Sequence, residues 1–268
     1  HCRHRLEKIR STLWSAIGKA RASPQTRRNG FHQPARDFAS RSIGRARSSA
    51  ITSAFGKRLR IAALARPGPA PTSRMRCGAS LSSWRTSDGS NAFSNPDGSE
   101  SELFRQFIGG IQKYGPDATL LSAPYVNSYR RFTRHLSAPI NLQWGYDNRT
   151  VGLRVPHSDP DNRRIENRLA GADVNPYLAI AASLACGLLG LEERLQPDAP
   201  EAGSAYQRPF ALPGSLSDAL RRFEQSERLR PLLGDRFIKI YTAMKRQEYQ
   251  AFFEVISPWE REYLLLNV

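Results

Sequence analysis

Residues 148–178 contain a dense group of side chains that could bind anions. Five arginines and one glutamate occur there: Arg149, Arg154, Arg163, Arg164, Arg168 and Glu166. The planar guanidinium group matches the oxygens of phosphate and carboxylate groups two at a time. A single carboxylate among cations is poorly placed as a general base, but it suits a divalent metal that bridges phosphates. The pattern favours a phosphoryl-transfer pocket, although a solvated sheet face with a ladder of salt bridges would look the same.

Alternation of apolar and polar residues predicts that these side chains lie on β-strands. In 150–155 the apolar residues share one face and Arg154 points to the other. The charged face of a second strand, 163–169, carries Arg164, Glu166 and Arg168. A third strand is predicted over 141–144. Charged residues from neighbouring strands would then project into the same space.

Helical spacing of apolar residues predicts the elements on either side of these strands. A helix is expected over 99–114, with Ser99 or Ser101 as its N-cap. Asn175 precedes a proline that opens a second helix, which contains the apolar run 177–191. That run has about 15 residues, short of the roughly 20 needed to span a bilayer, so it is interpreted as a buried helix.

The C-terminal part of the chain is predicted to be helical. Ser215 and Asp218 resemble a capping box before an amphipathic segment. Two more helices are expected over 235–255 and 258–266, whose apolar stripes indicate a packed core. Helix, sheet and then helices give an α+β fold.

The positive charge of the chain is confined to one end. The formal net charge is +16, and the first 80 residues contain 18 Lys and Arg but only Glu7 and Asp37 as acids. Residues 81–268 contain 22 basic and 22 acidic residues, the balance of an ordinary globular protein. The three cysteines, Cys2, Cys77 and Cys186, have neither disulfide nor metal-site spacing. A reducing compartment, the cytoplasm, is therefore expected.

Residues 1–80 are rich in Arg, Ser, Ala and Pro and lack the apolar pattern of a core, so they are expected to be disordered or out of frame. Three interpretations compete: a nucleic-acid-binding arm, an organelle transit peptide, and GC-rich coding DNA translated in a wrong frame. The third is favoured. The expected domain boundary lies between residues 80 and 81.

Four segments carry a resemblance to a known family. "NSYRR" (127–131), "SAPINLQWGYDNRTVGLRVP" (137–156), "RRIENRLAGADVNPYLAIAA" (163–182) and "WEREYLL" (259–265) resemble the glutamine synthetase superfamily. The likeness is to the C-terminal part of its catalytic domain, an antiparallel sheet with packed helices. "WGYDNRT" is similar to the γ-glutamylpolyamine synthetase branch. The motifs follow the family order over most of 81–268 and stop near residue 79.

The resemblance implies an ATP-dependent ligase that joins glutamate to an amine or ammonia through a γ-glutamyl phosphate. Arg131 corresponds to the arginine that holds the substrate α-carboxylate. The residues that correspond to nucleotide- and phosphate-binding arginines are Arg149, Arg154 and Arg164. Glu166 corresponds to a ligand of Mg²⁺ or Mn²⁺. Arg168 corresponds to the arginine that steadies the transferred phosphoryl group and, with Arg149, is assigned a catalytic role.

Several positions depart from the family pattern. Ser137 replaces a glutamate that serves the ammonium site, which favours a bulkier or uncharged amine, and Asp161 replaces a lysine. Arg76-Cys77-Gly78 stands where the family has His-x-His. The family's paired-glutamate strand, its other metal-binding glutamates and its N-terminal β-grasp domain have no counterpart in residues 1–78. His135 and His157 match no family ligand and are expected in loops.

These departures suggest a fragment that is truncated or frameshifted upstream and lacks useful ligase activity alone. The subunit ring of the family is not expected for it. Its partners would be glutamate, an amine or ammonia, and ATP, with no membrane. The alternatives are a basic nucleic-acid-binding arm on a scaffold domain, for which nucleic acid is the less favoured partner, and a non-functional relic.

Overall fold

A computed structural model of the protein describes residues 80–82, 84–86, 89–134 and 136–265. The helices in these ranges are α1 (Glu102–Ser122), α2 (Pro176–Glu192), α3 (Leu216–Gln225), α4 (Arg230–Leu233), α5 (Asp235–Phe253) and α6 (Pro258–Tyr263). The strands are β1 (Ser80–Ser82), β2 (Trp144–Tyr146), β3 (Leu153–Val155) and β4 (Ile165–Asn167). Short 3₁₀ helices cover Val126–Arg131, Pro160–Asn162 and Ala205–Gln207. The predicted α+β class is confirmed.

The four strands form one sheet in the order β1-β4-β3-β2. β4 is antiparallel to β1 and to β3, whereas β2 and β3 are parallel. Only residues 147–152 link the parallel pair, a shorter connection than usual. Asp147 makes the tight turn possible with a left-handed φ of 45°, and the Asn148 side chain accepts from the Thr150 N–H at 2.9 Å. The sheet is therefore mixed, not wholly antiparallel as expected.

α1 and α2 form the centre of the core and are capped as the sequence predicts. The Ser101 side chain accepts from the Phe104 N–H at 3.2 Å, and Asn175 accepts from the Tyr177 N–H at 3.0 Å. α2 is buried along almost its whole length, which agrees with its interpretation as a buried helix. β4 is joined to α2 by a hydrogen bond of 3.0 Å from Asn167 to Ser183.

Two glycines let α1 and α2 approach closely. A Cβ atom added to Gly190 would lie 2.1 Å from the carbonyl oxygen of Gln106, and one added to Gly110 would lie 2.2 Å from that of Cys186. Both contacts are with backbone atoms, which cannot move aside as the tip of a side chain can. The spacing of the two helices therefore depends on the absence of side chains at these positions.

Glu193, which follows α2, connects three segments of the core. It accepts hydrogen bonds from Lys113 Nζ at 2.8 Å and from Tyr114 Oη at 2.6 Å, both on α1. Arg228, which follows α3, donates to it from Nε at 2.9 Å. The hydrogen bonds from Lys113, Tyr114 and Arg228 lower the pKa of Glu193 to about 2.

The C-terminal helices pack on this core through aromatic residues. Tyr241 on α5 contacts Phe223 on α3 edge to face, and it stacks on Phe237 at a centroid distance of 5.4 Å. Ser215 caps α3 by accepting from the Asp218 N–H at 3.1 Å, as predicted. No helix among the described residues is long and apolar enough to cross a membrane.

Several predicted boundaries are wrong. The strands expected over 150–155 and 163–169 are only Leu153–Val155 and Ile165–Asn167, so Arg164 and Arg168 flank β4 and do not lie on it. The first helix continues past Pro116 to Ser122. The free energy gained by burying Leu120 and Leu121 exceeds the cost of the backbone hydrogen bond that is lost at Pro116. The strand expected over 141–144 overlaps β2 only at Trp144. Asn141 is instead buried beside the 3₁₀ helix 205–207, where its side chain donates to the Ala205 carbonyl at 2.8 Å.

Some sequence-based expectations fall outside the described residues. They are the Arg76-Cys77-Gly78 replacement, the loop position of His135, the end of the last helix at residue 266, and the disorder of 1–80, a segment of which only Ser80 is described, as the first residue of β1. His157 lies in an exposed loop between β3 and the 3₁₀ helix 160–162, as expected.

Candidate functional site

An ion pair across two strands occupies the centre of the predicted site. Arg154 on β3 lies directly opposite Glu166 on β4, and its Nη1 donates to Glu166 Oε2 at 2.8 Å. The two side chains are 18% and 17% exposed, so the pair is largely shielded from water. The other arm of the guanidinium donates to Asp147, in the turn after β2. Arg154 and Glu166 therefore share one space, as predicted, but they form the salt bridge of the alternative interpretation, with a second carboxylate beside it.

The charges of this group depend on one another. The hydrogen bond from Arg154 lowers the pKa of the Asp147 carboxyl group, and the positive charge of Arg149 lowers it further. For Arg154, burial opposes the charged form, but hydrogen bonds to Asp147 and Glu166 leave its pKa raised. One cation is thus held between two anions.

Arg168 lies in the turn after β4 and joins three segments. Its backbone N–H donates to the Gly152 carbonyl at 2.9 Å. Its guanidinium donates to the carbonyls of Arg149, Val151 and Ser137, the last two at 2.9 and 3.0 Å. The structure therefore brings Arg168, the backbone of Arg149 and the backbone of Ser137 together at one end of the sheet.

Arg131 ends the 3₁₀ helix Val126–Arg131 and lies beside the same turn. Its Nη2 donates to the carbonyls of Leu169 and Ser122, the latter at 3.3 Å. Its guanidinium also lies over the ring of Phe132, 4.4 Å from the centroid. Leu169 follows Arg168 directly. The hydrogen bond from the Arg131 side chain to the Leu169 carbonyl therefore connects Arg131 to the turn that contains Arg168.

Arg149 and Arg164 are placed differently from each other. Arg149 is exposed, and its guanidinium has no hydrogen-bond or ion-pair partner among the described residues. Arg164 is half-buried and donates to the Asn162 carbonyl at 3.4 Å. No hydrogen bond within the described ranges connects Arg164 to Arg154 or Glu166. Arg149 is therefore the more accessible of the two and stands beside the ion pair.

Arg163 has a structural role in the described residues. Its guanidinium donates to Ser94 Oγ at 2.7 Å and to the carbonyls of Gly98 and Ser99 at 3.0 and 2.9 Å. It fixes the loop between β1 and α1. Asp161 is exposed, and its carbonyl accepts from Asn91 at 3.2 Å in the same region.

Sequence analysis missed two carboxylates near the site. Asp147 pairs with Arg154, and Asp173 accepts a hydrogen bond from Ser128 in the 3₁₀ helix that carries Arg131. Asp147 is within the quoted "WGYDNRT" motif, so the signal was present. The contact of Asp173 joins residues 45 positions apart, and no local pattern indicates it.

A comparison with family models decides the identity. The model of the glutamine synthetase catalytic domain matches residues 51–264. The chain belongs to the glutamine synthetase family. The resemblance was expected to stop near residue 79, but the match begins at residue 51, so the expected upstream limit is wrong. The domain boundary between 80 and 81 stays a prediction.

Individual members of the glutamine synthetase family give the same result. The gamma-glutamylputrescine synthetase of Escherichia coli K12 is 39% identical over 186 residues, which is 69% of this chain and 39% of that protein. The gamma-glutamylethanolamide synthetase of Streptomyces coelicolor is 41% identical over 174 residues, 65% of this chain and 37% of that protein. The solved structure "Apo GmaS without ligand" has a TM-score of 0.61 and 32% identity, and the match covers 69% of this chain and 44% of that one.

These matches confirm the predicted superfamily, its polyamine-synthetase-like branch and the catalytic-domain fold. The chain spans about two fifths of the length of the curated relatives it matches. The activities named for these relatives therefore belong to proteins more than twice as long as the part that this chain matches.

The described residues do not by themselves fit a metal ion of the kind that the family implies. No three His, Cys, Asp or Glu side chains lie close enough together in the described ranges to bind one. Oε2 of Glu166 already accepts a hydrogen bond from Arg154. A divalent ion at Glu166 would require further ligands.

Proposed function

We propose that this chain is part of the catalytic domain of an ATP-dependent glutamate–amine ligase. The observation that carries the proposal is the ion pair between Arg154 and Glu166 on neighbouring strands, with Arg168 in the turn that follows β4 and the Arg149 guanidinium exposed. Family membership limits the chemistry to formation of a carbon–nitrogen bond. The arginine positions supply the anion-binding groups that this chemistry needs.

In the proposed reaction the γ-carboxylate of glutamate attacks the terminal phosphorus of ATP, and ADP leaves. The amine nitrogen then attacks the acyl phosphate, losing a proton as the amide forms and inorganic phosphate departs. Arg131 would hold the glutamate α-carboxylate. The arginines proposed to hold ATP phosphates are Arg149, Arg154 and Arg164. Arg168 would stabilise the charge that develops on the transferred phosphoryl oxygens.

The hydrogen bonds rank these arginines by how readily they could take an anion. Arg149 has an exposed guanidinium and can bind phosphate without losing another contact. Arg154 would share its charge between Glu166, Asp147 and the anion. Arg168 already donates to three carbonyls, so an anion would compete with these contacts for its five N–H groups. We therefore expect Arg149 to contribute most to initial binding.

The cofactors and the amine remain part of the proposal. ATP with Mg²⁺ or Mn²⁺ is expected, with Glu166 as a ligand only if other residues complete the site. Ser137, which offers no negative charge, favours an amine larger than ammonia, and the names of the relatives mention putrescine and ethanolamide. A cytoplasmic location is proposed. Little turnover is expected from this chain alone, and the nucleic-acid alternative for residues 1–80 stays a prediction.

Calorimetric titration of the full chain with ATP, with and without Mg²⁺, tests the proposal. Arg149→Gln should weaken ATP binding about 10-fold or more, because a hydrogen bond to a charged group contributes about 1.5–3 kcal/mol. Arg246→Gln is the matched control, since Arg246 is an exposed arginine on α5 paired with Glu224. Equal ATP affinity in the wild type and Arg149→Gln would refute the proposed role. Release of phosphate from ATP with glutamate and putrescine or ethanolamine tests turnover.

A further inference from the structure

The short helix that carries Arg131 is held at its N-terminal end by side chains. Tyr125 is the N-cap of the 3₁₀ helix Val126–Arg131, and its N–H donates to Ser128 Oγ at 3.1 Å. The Ser128 hydroxyl in turn donates to Asp173. A 3₁₀ helix of six residues has few hydrogen bonds of its own, so such outside contacts decide where it lies.

A buried lysine from another helix contacts the same cap residue. Lys245 on α5 is only 3% exposed. Its Nζ lies 4.2 Å from the ring centroid of Tyr125 and 5.7 Å from that of Tyr241, one turn earlier on α5. It also pairs with Glu248 at 2.7 Å. A buried ammonium group is costly unless it is compensated, and these three contacts compensate it.

We propose that Lys245 is a positioning residue for Arg131. Its cation fixes the ring of Tyr125, Tyr125 begins the 3₁₀ helix, and Arg131 ends it. Arg131 then reaches the carbonyls of Ser122 and Leu169 and, through Leu169, the turn that contains Arg168. The functional consequence rests on the proposed function, in which Arg131 holds the α-carboxylate of glutamate.

Hydrogen exchange measures this positioning without any ligand. The amides of Ser128 and Phe132 are hydrogen-bonded inside the turn, to Tyr125 O at 3.0 Å and to Tyr129 O at 3.2 Å. In Lys245→Met, peptides that cover 125–132 should exchange at least 10-fold faster, while peptides of α1 and α2 should be unchanged. Lys239→Met is the matched control, because Lys239 is an exposed lysine on the same helix. Unchanged exchange over 125–132 in Lys245→Met would overturn the proposal.

A second pair of variants separates positioning from a general loss of stability. Lys245→Arg keeps the cation and should restore most of the protection over 125–132. Tyr125→Leu should produce the same local loss as Lys245→Met, and the double variant should be no worse than either single variant. Fully additive effects of Lys245→Met and Tyr125→Leu would show that the cation does not act through Tyr125, which also overturns the proposal.

Binding of L-glutamate, measured by calorimetry on the full chain, connects the turn to the site. Lys245→Met should weaken glutamate binding about 10-fold and leave ATP binding unchanged. Arg131→Gln measures the role of Arg131 itself. If Arg131→Gln binds glutamate as the wild type does, the proposed function of Arg131 fails, while the exchange result still decides the role of Lys245. If Arg131→Gln loses binding and Lys245→Met does not, the positioning role is refuted.

Discussion

Replacing Glu166 with glutamine removes one charge and keeps the size of the side chain and one oxygen acceptor. In the structure Arg154 Nη1 lies 2.8 Å from Glu166 Oε2, and the two side chains are 18% and 17% exposed. Charges about 4 Å apart attract by about 4 kcal/mol at an effective dielectric constant of 20. Desolvation of both groups opposes most of that attraction. We therefore expect Glu166→Gln to lower the free energy of unfolding by about 1–2 kcal/mol.

Urea denaturation at pH 7 measures this difference against a matched variant. Glu224→Gln breaks the pair with Arg246, whose side chains are 35% and 54% exposed, and should cost about 0.5 kcal/mol or less. Salt at 0.5 M should reduce the Glu224 effect more than the Glu166 effect, because shielded pairs are screened less. Equal costs for the two variants would refute the view that the Arg154–Glu166 pair is desolvated.

Three other predictions concern the core. Gly190→Ala should lower the free energy of unfolding by about 3 kcal/mol, because the added Cβ atom would collide with backbone atoms. Gly214→Ala is the control: Gly214 has open space around it, so this change should be neutral or stabilise the protein by up to about 1 kcal/mol. Thermal denaturation compares the two variants. Because the pKa of Glu193 is lowered to about 2, its contribution is present above about pH 4.5 and is lost as pH falls toward 2. Glu193→Gln should therefore lower the free energy of unfolding by about 1–2 kcal/mol at pH 7 and by almost nothing at pH 2. Urea titrations of the wild type and the variant at several pH values measure this, and a difference between them that does not change with pH would contradict the prediction. Asn175→Ala should cost about 1 kcal/mol through the lost cap of α2, as circular dichroism melts would show.

Local signals in the sequence predicted the helices well. Ser101 and Asn175 are strong cap residues directly before apolar periodic segments, and both cap their helices in the structure. The end of α1 was misplaced because Gly115 and Pro116 are local breakers, and the burial that overrides them comes from distant parts of the chain. Propensity cannot report that tertiary contribution.

The site was predictable in its residue types but not in all its pairings. The alternation around Arg154 and Glu166 placed them on facing strands, and the structure pairs them. Arg163 belongs to the same arginine-rich stretch, yet it points to the loop before α1. The sequence carries no signal for that orientation, because it depends on carbonyls about 65 positions upstream. Asp147 lies within the quoted "WGYDNRT" motif, but alternation does not indicate its pairing with Arg154, because it is a turn residue with a left-handed backbone.

The arrangement of strands also has a consequence for the order in which the sheet assembles. β4 pairs with β3 across a short connection, through Arg154 and Glu166, whereas even the β1–β4 partners nearest in sequence, Ser82 and Ile165, are separated by most of the described chain up to β4. Closing the longer loop costs about 2 kcal/mol more in chain entropy. We expect the strand pair that holds the ion pair to form early in folding, and the upstream strand to cover the other edge of β4 later. The charge pair of the site therefore belongs to a locally encoded unit of the chain.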